Sequence, residues 1–239
     1  MNAAIVTARA GSKSIRDKNS MLLRGRPLVT YPLQAALDAE SIDATFVSTD
    51  GEAIANAAAE LGSTIIERPN ELAGDTVNHG DVIQHAVRWV DRRHPELENI
   101  VLLLGNTVMI DGELIDRCLA ELDADPELDS VMTVWEAADD HPLRALEIVD
   151  GLIRPYGDPE REVSTERQSY PSAYYYDQGV WAFRKQCVEH RDGPNPWWWM
   201  GRRSKPIVRN WITGRDLHTR LDLGVAEWWI EQLPGVRDL

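Results

Sequence analysis

Lysine is scarce in this chain. Lys13, Lys18, Lys185 and Lys205 are the full set in 239 residues. Lysine and arginine together number 25 against 39 acidic residues, giving a formal net charge of −14. A general nucleic-acid binder needs a basic footprint, so no nucleic-acid partner is expected. A local cationic pocket on an acidic body can still hold a small anion. Cysteine is scarcer still: Cys118 and Cys187 are too few and too far apart for a disulfide framework or a zinc site. They read as buried thiols of a reducing cytoplasm. No apolar run approaches the length of a membrane span. The opening "MNAAIVTARAG" is too poor in apolar residues for a signal peptide. The expectation is a cytoplasmic protein with no membrane partner.

What is present is a repeated alternation. Apolar, β-branched runs at 3–8, 44–50, 63–68, 98–105 and 129–137 read as strands. Helix-like runs at 27–39, 51–62, 76–93 and 111–124 lie between them, the second ending at Gly62 as a C-cap. Such alternation with short connections implies an α/β fold: a mainly parallel, Rossmann-like sheet with helices on both faces. After about residue 138 short β-like pieces mix with polar loops. Core-like strands return at 179–184 and 205–213, and a closing helix is expected at 224–233. Residues 1–239 therefore read as one domain and 138–178 as an insertion on the sheet. The "GPNPWWWMGRR" stretch (193–203) reads as a loop by its Gly and Pro content. Its Trp197, Trp198 and Trp199 read as packing or dimer contacts, with a lid as the other reading.

Open sheets bind ligands outside the carboxyl ends of their strands. That rule points to Ala8–Asn19, Ser48–Asp50, Arg68–Asp75 and Gly105–Asp111. The first of these, "ARAGSKSIRDKN", holds half of the chain's lysines beside a small-residue turn. Small residues let backbone N–H groups approach oxygens, and Lys and Arg supply charge, so the loop suits a phosphate. Its spacing is neither a Walker P-loop nor a GxGxxG fingerprint. A solvated basic loop is the plain alternative. Asp75 reads as a cap for the following helix.

These residues resemble a known family. Ala8, Arg9, Gly11, Ser12, Lys13, Ile15, Lys18 and Asn19 stand as in the ARxGSKxIxxKN loop of the CMP-acylneuraminate synthetase-type cytidylyltransferases. "RGRPLVTYPLQAAL", "VSTDGEAIANAAAELG" (47–62), "ERPNELAGDTV" (67–77) and "ERQSYPSAYYYDQGVWAF" (166–183) are similar to its later motifs, in order. The resemblance implies a nucleotidyltransferase sheet and CTP as donor. It implies an acceptor oxygen that attacks the α-phosphorus, with loss of pyrophosphate. Arg9, Lys13 and Lys18 would be the catalytic cations. Ala8, Arg9, Ala10, Gly11, Ser12, Lys13, Asn19 and Arg68 would bind the nucleotide, Asn19 and Arg68 on the base. An ordinary strand-end charge is the other reading of Arg68. The resemblance also implies Mg²⁺ and a homodimer formed through 138–178.

The chain departs from the family at three places. Where sugar-acid enzymes carry "LLQPTSPLR", this one reads "LLLGNTVMI" (102–110), with Leu104 in place of Gln and Ile110 in place of Arg. Near the C-terminus the family's metal-binding "DIDxxxD" is set against "TRLDLGVAE" (219–227). Asp222 then matches one Asp as the metal ligand, or caps the next helix, and Arg220 replaces the other. The tryptophan-rich segment is the third. Together the departures suggest a small anionic acceptor, most simply a phosphonate such as phosphonoformate. Asn106, Thr107, Arg144, Arg167, Gln168 and Arg220 are the acceptor candidates. A 2-keto-3-deoxy sugar acid is the alternative acceptor, and a non-catalytic CTP-binding protein the alternative class.

Overall fold

The computed structural model describes residues 1–11, 15, 17–74, 76–157, 163–166 and 169–232. Ser12, Lys13, Asp75, Arg167 and Gln168 lie outside the described residues. The elements in chain order begin with strands β1 (Asn2–Thr7), β2 (Leu22–Leu23) and β3 (Arg26–Pro27) and helix α1 (Thr30–Asp38). Then come β4 (Ala44–Thr49), α2 (Glu52–Glu60), β5 (Thr64–Glu67), α3 (His79–Asp91), β6 (Asn99–Leu104), α4 (Gly112–Ala124) and β7 (Ser130–Glu136). The last third holds β8 (Leu146–Val149), β9 (Leu152–Pro155), β10 (Tyr174–Arg184), α5 (Gln186–His190), β11 (Ser204–Arg209) and α6 (Arg220–Glu231).

Seven strands form one sheet in the order β11-β7-β10-β6-β1-β4-β5. All neighbours are parallel except β10, which runs antiparallel between β6 and β7. Alternate residues of each central strand face opposite sides. Ala4 and Val6 join Val101, Leu103 and the buried faces of α1, α2 and α4. Ala3 and Ile5 join Phe46, Ile100, Leu102, α3 and the Trp198–Met200 turn. The strands are buried on both faces, which is why they read as unbroken apolar runs.

Helix ends follow their caps. Asn78 Oδ1 accepts from the Gly80 N–H at 2.8 Å, so α3 starts at His79, not at Thr76. Asp111 Oδ1 accepts from Leu114 N–H at 2.9 Å and starts α4. Gly62 takes a left-handed φ of 81° just past α2, as its sequence position suggests. The closing helix starts earlier than expected, at Arg220 rather than Gly224. Thr219 and Asp222 form a capping box there.

Two further expectations change. The Trp198 and Trp199 side chains are buried in the core under α3, and a Cβ on Gly80 would meet the Trp198 indole at 2.5 Å. They are packing residues and not a lid. β10 begins at Tyr174, inside the expected insertion, because Tyr174–Tyr176 pair with Glu136–Val134. What stands apart is the β8–β9 hairpin, a separate two-stranded sheet.

Candidate active site

The carboxyl ends of β1, β5 and β6 open into a cleft of about 460 Å³. Thr7, Arg9, Lys18, Asn19, Arg68 and His79 line one end of it. Leu104, Asn106, Gln178, Asp216 and His218 complete it.

The first end is held by backbone bonds between neighbouring strands. Ala8 N–H donates to Ser48 O at 3.1 Å, and Ala10 N–H to Asp50 Oδ1 at 2.9 Å. Gly11 turns the chain with a left-handed φ of 66°, which suits glycine. Asn19 Nδ2 donates to Arg9 O at 2.9 Å, while its buried Oδ1 has no partner among the described residues. A Cβ on Gly105 would meet that Oδ1 at 3.2 Å and Ala8 Cβ at 2.6 Å, so the loop after β6 must carry glycine there. Arg68 is buried, its Nη2 donating to Ser48 O at 2.7 Å. Burial lowers its pKa, against the opposing pull of Asp50. Burying a guanidinium is costly unless it is hydrogen-bonded, and the Ser48 carbonyl and hydroxyl supply such bonds.

His79 is the first residue of α3, and sequence reasoning missed it. Its Nε2 shares a 3.0 Å hydrogen bond with Thr7 Oγ1. Burial, reinforced by Arg68, pushes its pKa down to about 4, so the imidazole is neutral at pH 7.

The other end is drawn from distant segments. Asn106 Nδ2 donates to Asp216 Oδ2 at 2.7 Å and to Leu217 O at 3.2 Å. Lys18 Nζ donates to Leu217 O at 2.6 Å, and burial lowers its pKa. His218 Nε2 lies 2.9 Å from Asp216 Oδ1. Behind them Arg209 pairs with the buried Asp177 at 3.0 Å and also donates to Met109 O. This pair links the loop after β6, the irregular part of β10 and the segment leading to α6.

Several expected acceptor residues are not brought to the cleft. Thr107 is buried, its Oγ1 donating to Gln178 O at 2.7 Å, so Gln178 and not Thr107 faces the space. Ile110 packs in the core. Arg144 lies on an exposed turn before β8, 3.6 Å from Asp139. Arg220 opens a separate, apolar cavity with Ile212, Leu221, Gly224, Val225 and Trp228.

Asp222 does not fit the metal role expected of it. Its Oδ1 accepts both Nε and Nη2 of Arg215 at 3.1 and 2.9 Å. Its Oδ2 accepts from His218 N–H, Thr219 N–H and Thr219 Oγ1 at 2.7 to 3.0 Å. Burial would raise its pKa, but these bonds outweigh it and bring the value down to about 2. The carboxylate is saturated as a structural cap. The missed signal was the register of the pattern. The spacing D-x-D-x-x-x-D fits "DLHTRLD" at 216–222, with His218 at the second position and Asp222 at the last. That register brings Asp216 and His218 to the cleft and leaves Arg220 out of it.

A family model described as cytidylyltransferase matches residues 3–190. N-acylneuraminate cytidylyltransferase of Escherichia coli is 39% identical over 84 residues, 35% of this chain and 20% of that protein. The chain thus aligns with only about a fifth of that relative's length. 3-Deoxy-manno-octulosonate cytidylyltransferase of Chlamydia trachomatis is 26% identical over 187 residues, 76% of this chain and 70% of that protein. Among solved structures, CMP:2-keto-3-deoxy-manno-octonic acid synthetase complexed with CTP superposes with a TM-score of 0.69 at 15% identity. It covers 96% of this chain and 98% of that one. 4-Diphosphocytidyl-2C-methyl-D-erythritol synthase from Anaerococcus prevotii gives 0.63 at 16% identity, over 97% and 96%. These likenesses share the fold, and the family match places the chain: it belongs to the cytidylyltransferase family.

Proposed function

We propose that this member of the cytidylyltransferase family transfers CMP from CTP to an oxygen of a small anionic acceptor, releasing pyrophosphate. The observation that carries the reading is the pairing of Asn19 and Arg68 in one cleft. The unpartnered Asn19 Oδ1 suits the exocyclic amine of cytosine, and Arg68 can donate to the ring's acceptor atoms. A uracil would turn a second carbonyl toward Asn19, and a buried acceptor facing an acceptor is costly. Arg9 and Lys18, with Ser12 and Lys13 of the same loop, would hold the triphosphate. Catalysis is then mostly positioning and charge neutralisation around the α-phosphorus.

The bond between the acceptor oxygen and the α-phosphorus forms as the bond to the bridging oxygen breaks, and pyrophosphate leaves with the electron pair. A divalent cation, when bound, would neutralise phosphate oxygens along that path. Asp216, and not Asp222, is the carboxylate with a place in the cleft to hold it. Mg²⁺ is the ion expected from the resemblance.

The acceptor is proposed to be small. The cleft is the size of one ordinary ligand site, and the triphosphate would fill most of it. Leu104 offers no hydrogen bond where sugar-acid enzymes carry Gln. Phosphonoformate meets those limits, and its oxygen is already anionic, so no base is required. Arg220 and Arg144 lie away from the cleft; among the described residues Arg9, Lys18 and Asn106 are there for its binding, and Arg167 and Gln168 stay candidates beside them. A sugar-acid acceptor is the second reading, favoured by the names of the relatives. The test is CTP-dependent pyrophosphate release with phosphonoformate, N-acetylneuraminate and 3-deoxy-manno-octulosonate. Release with phosphonoformate alone is expected. Release with a sugar acid alone replaces the first acceptor by the second. CTP binding without release from any of the three defeats the transferase reading as stated.

A homodimer is part of the same proposal. The β8–β9 hairpin exposes Leu146, Ile148, Leu152 and Ile153. An isolated two-stranded hairpin is marginal in water, and a second copy would cover that face.

A further inference from the structure

We propose that Asp216 and His218 form a mixed carboxylate–imidazole cation site, which selects a metal of the Mn²⁺-to-Zn²⁺ series over Mg²⁺. The inference rests on the nucleotide reading above and concerns a residue that reading leaves unused. His218 Nε2 and Asp216 Oδ1 are 2.9 Å apart. Two adjacent ligands of an octahedral cation with bonds of about 2.1 Å stand about 3.0 Å apart, so one ion can take both atoms with little movement.

Both residues are fixed from outside the pair. Asp216 Oδ2 is held by Asn106 Nδ2 at 2.7 Å, and His218 N–H donates to Asp222 Oδ2 at 3.0 Å. The saturated Asp222 therefore serves as the post on which His218 is mounted. Lys18, bonded to Leu217 O between the two, brings the site against the loop proposed for the triphosphate. Among the described residues no group of three or more His, Cys, Asp and Glu could hold a metal. A cation here takes two protein ligands, and phosphate oxygens and water complete its shell.

The choice of metal follows from the donor atoms. Carboxylate and phosphate oxygens suit Mg²⁺, and a second Asp in place of His218 would keep the site all-oxygen. An imidazole nitrogen adds little for Mg²⁺ and more for each ion along the series from Mn²⁺.

Mn²⁺ is the probe. Electron spin-echo spectroscopy of the full chain with Mn²⁺ and CTP is expected to show coupling to one ¹⁴N nucleus, absent in His218→Ala and in Mn²⁺–CTP alone. Competition titration, referenced to CTP in buffer, is expected to favour Mn²⁺ over Mg²⁺ by about tenfold or more. His218→Asp should reduce that preference toward one. Bound Mn²⁺–CTP with no nitrogen coupling, or a preference unchanged in His218→Asp, would overturn the inference while leaving the nucleotide reading intact. Calorimetry of CTP without metal runs beside it. CTP that binds under no condition removes the nucleotide reading, and this inference with it.

Discussion

The two ends of the cleft are built by different means. Thr7, Arg9 and Arg68 sit on or just beyond strands β1 and β5, bonds to the Ser48 carbonyl and the Asp50 carboxylate tie this end to β4, and Asn19 is bonded to the Arg9 carbonyl. Asn106, Gln178, Asp216 and His218 come from three segments far apart in sequence. Side-chain bonds and the buried Asp177–Arg209 pair hold them together. The first end is a product of sheet topology, which tolerates little change. The second is an assembly of loops, and loops can vary while a scaffold keeps its shape. A family that keeps its donor and changes its acceptor would divide its labour this way.

Substitutions can break or sharpen the contrast. The largest effect is expected from Arg68→Met at the sheet-built end. CTP affinity measured by calorimetry should fall on the order of 100-fold, the loss of a charge-assisted contact in a buried site. A change below about threefold would mean that Arg68 does not meet the nucleotide.

Next comes a comparison of carboxylates at the loop-built end. Asp222→Asn should lower unfolding free energy by about 2 kcal/mol in urea titrations, since it weakens the cap and the Arg215 pair together. Asp216→Asn should cost less, since its amide keeps an oxygen to accept from Asn106 and the lost ion-pair partner His218 is exposed, yet reduce pyrophosphate release sharply. Equal stability losses would erase the distinction drawn between the two.

The smallest effect is a pH slope. His79 titrates near 4 when folded and near its ordinary 6.5 when unfolded. Between those values the unfolded chain binds the extra proton, so stability falls as pH drops through that window and is unaffected above it. Melting temperatures from pH 7 to pH 5 should fall less steeply in His79→Gln than in the parent chain. Parallel slopes would show that the imidazole is not buried in its neutral form.

The sheet-built end was largely legible in the sequence because its signals are local. The Ala8–Asn19 loop follows a strand directly, and Arg68 ends another. The parallel order and the buried strands followed from alternation and apolar runs. His79 was not legible, since a histidine at the start of a helix has no pattern of its own. The loop-built end departs from expectation for three reasons. Arg220 and Asp222 were set against the family pattern in the wrong register, although the same spacing fits at 216–222. Thr107 was credited with facing the cleft, whereas its hydroxyl turns to the Gln178 carbonyl, a contact between residues 71 apart. Arg144 was assigned by charge alone, and charge does not say which way a turn projects.

The bond from Lys18 to the Leu217 carbonyl spans 199 residues of sequence. For a chain emerging from a ribosome, the Lys18 loop therefore waits for nearly two hundred further residues before its buried ammonium finds this acceptor. A contact of such high sequence separation forms late and slowly. Nascent or truncated chains ending before Leu217 would hold a finished sheet and an unfinished cleft, and so would occupy nucleotide poorly even where they fold.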